Sequence, residues 1–551
     1  AMSINQVLRR PDYELWLKAI DKERLDLGDY FLDGIPALKR VPRADVPRGA
    51  WVLKSIMTMC FKRDGSRKAR WVADGSREER TPESSSPTCL ASTILIVLAL
   101  SAQYGWEIRQ FDIAKAYMLA APQRAYYLYF PPGFRDYLLA RHSGNLPFEP
   151  SQYLLRVQKN IYGATDSGKV WFDALCSYLV DELNFTQHAA DRCLFCLRLT
   201  GAISGCVFVL VYVDDILVIG VCEVADYIAT RLADRFPLTE GGQDYLGLEI
   251  SNDPAAGWVH VSQETYAKKV VEKFGFSESN RVPTPMHATF HASDVDAPHG
   301  APAPAGLNVD SVLGSIGYMA TRTMPWYLSI YGILSTVARP SAASPNAPTP
   351  AVRAACARAL RFLNHNTALG VTYTRKESLY LDGWVDASHG NEVHHTASGF
   401  CKSRSGGFVT LCGACVAGFS SAQKTTALST FEAELYALVV IVRLIISLRR
   451  TVSYVTGATL PVSRVYCDNQ SVIAQLRKRD LSARSRHIRV QLGFVYDALD
   501  SGEVEIRYVR SAANPANQLT APEVADRLAR TIDAMSGRPA EGPPLVVDEN
   551  A

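Results

Sequence analysis

Cys206-Val207-Phe208-Val209-Leu210-Val211-Tyr212-Val213-Asp214-Asp215-Ile216-Leu217-Val218-Ile219 is the stretch that decides how this chain is read. Two apolar, β-branched runs flank a pair of carboxylates, the pattern of two buried strands joined by a tight hairpin with Asp214 and Asp215 at its tip. Adjacent carboxylates repel, and such a pair is tolerated where a hard divalent cation takes oxygen ligands from both. Well upstream, Phe111-Asp112-Ile113-Ala114-Lys115-Ala116-Tyr117 places a third carboxylate where an apolar strand runs into a helix-like segment. Three carboxylates from two elements suit a two-metal centre for phosphoryl or nucleotidyl transfer, one ion activating the attacking oxygen and the other stabilising the leaving oxygen.

A basic cluster precedes these motifs: Lys62, Arg63, Arg67, Lys68 and Arg70 fall within nine residues on a hairpin-like segment. It suits phosphate contacts that position a ligand. The whole chain has 551 residues, enough for roughly three to four domains or subdomains. With 48% hydrophobic and 21% charged residues it is neither collagen-like nor wholly disordered. A formal charge of +3 means that any polyanion must be held by local patches rather than by a global field. The longest apolar runs are too short or too interrupted to span a bilayer, and no signal-peptide pattern opens the chain. Twelve scattered cysteines then read as reduced thiols of an intracellular protein.

Downstream, Trp384-Val385-Asp386-Ala387-Ser388 carries a carboxylate inside an apolar strand, and Ser420 to Glu434 leads from a polar loop into a long apolar helix. Tyr466-Cys467-Asp468-Asn469 puts another carboxylate at a strand end before a helix. Ser429-Thr430-Phe431-Glu432 fits a capping box, which explains Glu432 and leaves Glu434 unexplained. Trp16, Ile20, Leu25 and Leu27 mark an amphipathic helix, and His287 to Asn308 reads as an exposed linker. Helices are expected from Ser311 to Thr336 and from Ala351 to Leu363. Cys193-Leu194-Phe195-Cys196 and Cys412-Gly413-Ala414-Cys415 have zinc-knuckle spacing but lie in apolar or turn settings that favour core thiols. Asp-Ser-Gly, at Asp166 and again at Asp500, falls in settings that do not suggest a protease.

Taken in order, the first three aspartates resemble those of copia-type (Pseudoviridae) LTR retrotransposon reverse transcriptases. The resemblance continues through Arg67-Lys68-Ala69-Arg70-Trp71-Val72, Phe130-Pro131-Pro132-Gly133-Phe134, Ile161-Tyr162-Gly163, Trp171-Phe172 and Tyr245-Leu246-Gly247-Leu248-Glu249-Ile250. Asp386, Glu434 and Asp468 resemble the ribonuclease H domain of the same polyproteins. The implied fold is α/β (α+β): a right-hand polymerase of fingers, palm and thumb, then a connection and an RNase H-like α/β domain. Fingers and palm would fill 1–250, a thumb-like segment and linker 251–310, the connection 311–376, the RNase H-like domain 377–530 and a disordered tail 531–551.

The resemblance implies RNA- and DNA-templated DNA synthesis, with Asp112, Asp214 and Asp215 as polymerase metal ligands and Tyr117 as the steric gate against a 2′-OH. Arg70 and Lys68 would meet the incoming triphosphate, and Leu246-Gly247 would belong to the primer grip. Degradation of RNA in RNA–DNA hybrids would use Asp386, Glu434 and Asp468, with His487 nearby and Arg477, Lys478, Arg479, Arg484, Arg486 and Arg489 tracking the hybrid backbone. Each site would take two Mg²⁺ ions, with Mn²⁺ as a substitute. Partners would be an RNA template, a DNA or tRNA primer, the RNA–DNA hybrid and dNTPs, with no membrane; a homodimer is compatible with the family. The setting would be cytoplasmic, within retrotransposon virus-like particles.

Two positions depart from the family. Ala516-Asn517-Gln518-Leu519-Thr520 has Asn where a fourth carboxylate metal ligand is usual, which offers a carbonyl oxygen but no charge and weakens one metal site. Asp166 stands where a Gln meets the incoming nucleotide, and an acid beside a triphosphate predicts weaker nucleotide affinity. Both departures keep open an alternative, a decayed or repurposed retroelement protein that binds nucleic acid without catalysis, and also a polymerase that has lost only its nuclease.

Overall fold

The computed structural model of the chain describes residues 2–28, 35–62, 65–78, 85–201, 203–241, 244–290, 306–338, 348–393, 401–479, 488–522 and 524–538. Helix α1 (Tyr13–Gly28) buries Trp16, Leu17, Ile20 and Leu27. Leu25, expected on that face, is exposed instead, because five residues beyond Ile20 is about 140° round a helix. Strands β1 (Ser55–Phe61) and β2 (Arg67–Ala73) form an antiparallel hairpin. Alternation along β2 sends Ala69, Trp71 and Ala73 into the core and leaves Lys68, Arg70 and Val72 on the opposite face. Arg67 falls on the inner side and pairs with Asp12 at 2.8 Å, so it does not join Lys68 and Arg70. Arg63 lies outside the described residues.

Helix α2 (Ala91–Tyr104), strand β3 (Glu107–Ile113), helix α3 (Ser167–Ser177), strands β4 (Leu194–Leu199), β5 (Gly205–Tyr212) and β6 (Asp215–Gly220), and helix α4 (Cys222–Arg235) build the palm. Its six-stranded antiparallel sheet runs in the order Leu238–Glu240, β3, β6, β5, β4, Thr186–Gln187. Val207, Val209, Val211, Ile216 and Val218 pack against α3 and α4, while Phe208, Leu210, Leu217 and Ile219 pack against α2. Burial on both faces is why the two strands read as continuous apolar runs rather than alternating ones.

Beyond the palm, β7 (Leu248–Asp253) and β8 (Trp258–Ser262) lead into helices α5 (Glu264–Lys273), α6 (Val309–Ala320), α7 (Leu328–Val337) and α8 (Pro350–Asn364). Strand β9 (Gly370–Thr374) then returns to pair with β8. The helices are thus an insertion into one sheet. Their apolar faces share a single core, from Val270 and Val271 to Ile316, Trp326 and Leu360, which spans the division expected at 310. The helix expected from Ser311 to Thr336 is interrupted between Ala320 and Leu328, where Pro325 keeps Met324 out of the helical conformation (φ −128, ψ 60) and opens a short 3-10 turn.

The C-terminal domain comprises β10 (Asp382–Val393), β11 (Cys401–Leu411), β12 (Ala414–Ala422), α9 (Thr430–Thr456), β13 (Ser463–Cys467), α10 (Gln470–Lys478), α11 (Arg489–Asp500), β14 (Val504–Tyr508) and α12 (Ala525–Ser536). Its sheet order is β12-β11-β10-β13-β14, antiparallel across the first three strands and parallel thereafter. This is a mixed α/β arrangement of five strands with helices between and after the parallel ones. The expected disordered tail from 531 is corrected in part: α12 continues to Ser536 because Leu528, Thr531, Ile532 and Met535 recur at helical spacing and are buried. Residues 539–551 lie outside the described set. No helix among the described residues is long and apolar enough to cross a membrane.

Palm and C-terminal domain are docked on each other. Arg198 of β4 donates to Tyr454 O at 2.8 Å and Val455 O at 2.9 Å, satisfying terminal carbonyls of α9 that have no partner within the helix. Gln103 of α2 donates to Lys376 O at 2.8 Å and accepts from Lys376 N at 2.9 Å. Arg198→Ala is expected to destabilise the chain by about 1 kcal/mol, read as a lowered urea midpoint. An unchanged midpoint would show that water serves those carbonyls equally well.

Candidate active sites

The β5–β6 turn is Val213-Asp214, with Tyr212 opposite Asp215. Val213 has φ 59, an unfavourable left-handed conformation for a β-branched residue, and its carbonyl accepts the Trp171 indole N–H at 2.6 Å. Asp112 stands directly opposite Asp215 across the β3–β6 ladder, and Ile113 N donates to Asp214 O at 2.9 Å. All three aspartates are therefore brought together at one end of the palm sheet.

Burial and then the neighbouring Asp214 carboxylate raise the Asp112 carboxyl above its ordinary value, while Lys68 and Arg70 pull it down. Those two cations come from the outward face of β2, so the fingers hairpin faces the palm carboxylates. Burial, and then Arg70, lower the Lys68 ammonium. Tyr117 follows the left-handed Lys115 (φ 59), and burial and then Asp214 raise its phenol. The Tyr117 ring meets that of Tyr162 edge-on at 5.1 Å, and the Arg70 guanidinium lies 4.6 Å from the Tyr162 ring centre. Tyr162 was legible only as a family marker, and its place between Arg70 and Tyr117 is a structural finding. Gly163 (φ +91) lets this loop approach the fingers, since a Cβ there would lie 2.1 Å from Ala73 O.

Asp166 sits at the N-terminus of α3, where an acid complements the helix dipole. Asp214, Lys68, Arg70 and Tyr212 are the charged or ionisable neighbours that shift Asp112 or Tyr117, and Asp166 is not among them. Leu246 (φ 55) and Gly247 (φ 71) form a tight turn before β7, and Tyr318 of α6 donates its hydroxyl to Leu246 O at 2.5 Å.

In the C-terminal domain β10 carries Asp386, α9 carries Glu434, and Asp468 follows β13. Ligand atoms of Glu434, Cys467 and Asp468 lie within 4.8 Å of one another. Glu434 accepts the Ala387 backbone N–H, and its Oε2 is buried without a hydrogen-bond partner among the described residues. Burial first, then Asp386 and Asp468, push its carboxyl up to about 9. Burial also raises Asp468, against hydrogen bonds from Ser511 and Asn514. Glu432 fills half of the expected capping box: its backbone N–H donates to Ser429 Oγ at 3.2 Å, but its carboxylate accepts from Leu428 N rather than from Ser429 N.

The Asp386 carboxylate receives the Thr520 hydroxyl. Asn517 turns its Nδ2 to Ser511 O at 2.8 Å, and its Oδ1 is buried without a partner among the described residues. Cys467, Ser511, Asn514 and Thr520 are site neighbours that sequence reasoning missed, although the polar residues around Asn517 were the available signal. Arg477 and Lys478 are exposed at the end of α10, but Arg479 forms an ion pair with Asp500 and is committed within the domain. His487, Arg484 and Arg486 lie outside the described residues. The four CxxC cysteines are buried, and desolvation pushes their thiols up, to about 11 for Cys196 and about 12 for Cys193, Cys412 and Cys415.

Residues 40–288 match the family of reverse transcriptases (RNA-dependent DNA polymerases). The resemblance to copia-type Pol proteins is borne out. The chain is 25% identical to the retrovirus-related Pol polyprotein from transposon TNT 1-94 of Nicotiana tabacum, over 94% of this chain and 37% of the relative. It is 26% identical to the Pol polyprotein from transposon RE2 of Arabidopsis thaliana, over 92% of this chain and 33% of the relative. The chain thus spans about a third of the length of these relatives. Among solved structures, foamy viral protease-reverse transcriptase in complex with dsDNA shares 13% identity at a TM-score of 0.44, covering 92% of this chain and 96% of that one.

Proposed function

We propose that this chain is the DNA-synthesising part of an LTR retrotransposon Pol protein, an RNA- and DNA-templated polymerase joined to a ribonuclease H. The observation that carries the reading is the register of Asp112 opposite Asp215, with Asp214 in the adjoining turn and Lys68 and Arg70 facing them. A primer 3′-OH would attack the α-phosphate of a dNTP there and release pyrophosphate. Lys68 and Arg70 bind the triphosphate, and Tyr117 excludes a 2′-OH.

Both sites fit divalent cations. Asp112 is raised by burial and by a neighbouring carboxylate in one, and in the other a buried carboxylate oxygen has no partner among the described residues beside two further ligand atoms. Mg²⁺, with Mn²⁺ as a substitute, would supply charge to stabilise the developing negative oxygens. Asp112, Asp214 and Asp215 would hold it in the palm; Asp386, Glu434 and Asp468 would hold it in the C-terminal domain, with Asn517 as a neutral fourth position. The substrates are an RNA or DNA template with a primer, tRNA included, and the RNA–DNA hybrid.

The test is primer extension on a labelled RNA template with Mg²⁺, beside an Asp214→Asn control, following template length in the same tubes. Extension lost in the control supports the polymerase, and no extension in Mg²⁺ or Mn²⁺ overturns it. A template that survives intact favours a polymerase whose nuclease is lost, a reading supported by the Asn517 amide being engaged with Ser511. Asn517→Asp is expected to raise hybrid cleavage about tenfold by restoring a charge at the metal site. Unchanged cleavage would show that position 517 contributes nothing to it.

A further inference from the structure

Helix α1 lies outside the segment matched to the polymerase family, yet it touches both halves of the first site. Glu23 and Asp26 are three residues apart and so share a helix face. Glu23 Oε1 accepts the Trp71 backbone N–H at 2.8 Å. That amide belongs to β2, whose only strand partner among the described residues is β1, so Glu23 supplies an acceptor at an edge that no described strand covers. Trp71 is flanked by Arg70, and the alternation of β2 makes any rotation of the strand at Trp71 a rotation of Lys68 and Arg70 as well. On the other side, Asp26 pairs with Lys115 at 3.1 Å, and Lys115 is the left-handed residue between Asp112 and Tyr117.

The Glu23 carboxylate is also in electrostatic range of the nucleotide-facing groups. Burial and, less strongly, Asp26 raise it, and the Trp71 amide, Arg70 and Lys115 draw it back down. Its charge acts in turn on Lys68 and Tyr162. One helix therefore holds the fingers strand that carries the cations and the palm loop that carries Asp112 and Tyr117.

We propose that Glu23 is a positioning residue for the triphosphate subsite: its hydrogen bond to Trp71 N–H fixes the Lys68/Arg70 face of β2 over Asp112, while the Asp26–Lys115 pair anchors the same helix to the palm loop. The ligand so served is the polyphosphate of a nucleoside triphosphate, and the role rests on the polymerase reading. Glu23 does not touch the substrate. Removing it leaves a strand-edge amide without its acceptor and lets the hairpin turn, which misplaces two charges without removing either.

The experiment is single-nucleotide incorporation by the full chain on a primed RNA template, over a range of dNTP concentrations. Glu23→Ala is expected to raise the KM for dNTP about tenfold, with kcat and the Kd for primed template each within about twofold of wild type. Glu23→Gln, which keeps an Oε1 acceptor, is expected to restore the KM. A merely structural cap would change Tm and kcat together and leave this split absent. An unchanged KM in Glu23→Ala, or a Glu23→Gln as impaired as the alanine variant, overturns the assignment. Should Glu23→Ala not fold, Glu23→Met retains bulk without an acceptor and is compared with Glu23→Gln in the same way. A wild type that extends no primer is a different result, because it overturns the polymerase reading itself.

Discussion

Asp112→Asn is expected to lower primer extension by about a thousandfold while leaving the Kd for primed template within a few-fold of wild type. The amide has nearly the volume of the carboxylate, so the β3–β6 ladder and the Ile113 N–H bond to Asp214 O persist. What is lost is charge. Asp112 lies in a partly buried position opposite Asp215, where burial and Asp214 already oppose its ionisation and Lys68 and Arg70 favour it. A group held against that opposition has its use in a charged form that a cation can exploit. The readout is single-turnover extension beside nitrocellulose-filter binding of the primed template. An Asp112→Asn chain that extends within tenfold of wild type would remove Asp112 from the catalytic set.

The second large effect has opposite signs for stability and activity. Glu434→Gln is expected to abolish hybrid cleavage, by about a thousandfold or more, and to stabilise the cation-free chain at pH 8 by about 2 kcal/mol. The sign follows from the titration. Unfolded, Glu434 ionises near 4.5; folded, burial and the Asp386 and Asp468 carboxylates push it up to about 9. Between those values the folded chain keeps a proton that the unfolded chain has released, so this residue's contribution is fully present below pH 4.5 and is lost as pH rises toward 9. Gln keeps the Ala387 N–H bond and removes the titration. Thermal unfolding without divalent ions, followed from pH 5 to 8.5, should therefore fall less steeply in the variant. Added Mg²⁺ should raise the wild-type midpoint at pH 8 more than that of the variant, since a cation bound only by the folded form stabilises it. Identical pH slopes in the two chains would contradict the placement of Glu434 as a buried, cation-dependent carboxylate.

The palm motif was legible because its strands are buried on both faces, which leaves two carboxylates alone in a long apolar run. Their partner was harder to see: Asp112 meets Asp215 through a pairing between strands far apart in sequence, and the pattern within one strand does not say which distant strand lies beside it. Alternation along β2 separated Lys68 and Arg70 from Trp71 in principle, but the capture of Arg67 by Asp12 is a tertiary event that charge counting overlooks. The same holds for Arg479 and Asp500. Helix α12 was hidden by the Gly- and Pro-containing segment that follows it, although Leu528, Ile532 and Met535 already recur at helical spacing. Asp386, Glu434 and Asp468 were individually weak signals and gained meaning from their order. Thr520 on Asp386 and the orientation of Asn517 depend on where the Pro515–Leu519 turn lies against β10, which spacing alone does not set.

The return of β9 to β8 after the helical insertion bears on whether the chain can be studied in pieces. Ser262 opposes Gly370 and Trp258 opposes Thr374, so the sheet that follows the palm is completed only by residues far down the chain. A fragment ending at 288, the limit of the family match, would leave β8 with an unpaired edge and α2 without part of its cover. Such a fragment should aggregate or swap strands rather than behave as a smaller polymerase. During synthesis, too, the sheet must wait for the whole insertion before it can close, a long-range step of the kind that slows folding and exposes apolar surface meanwhile.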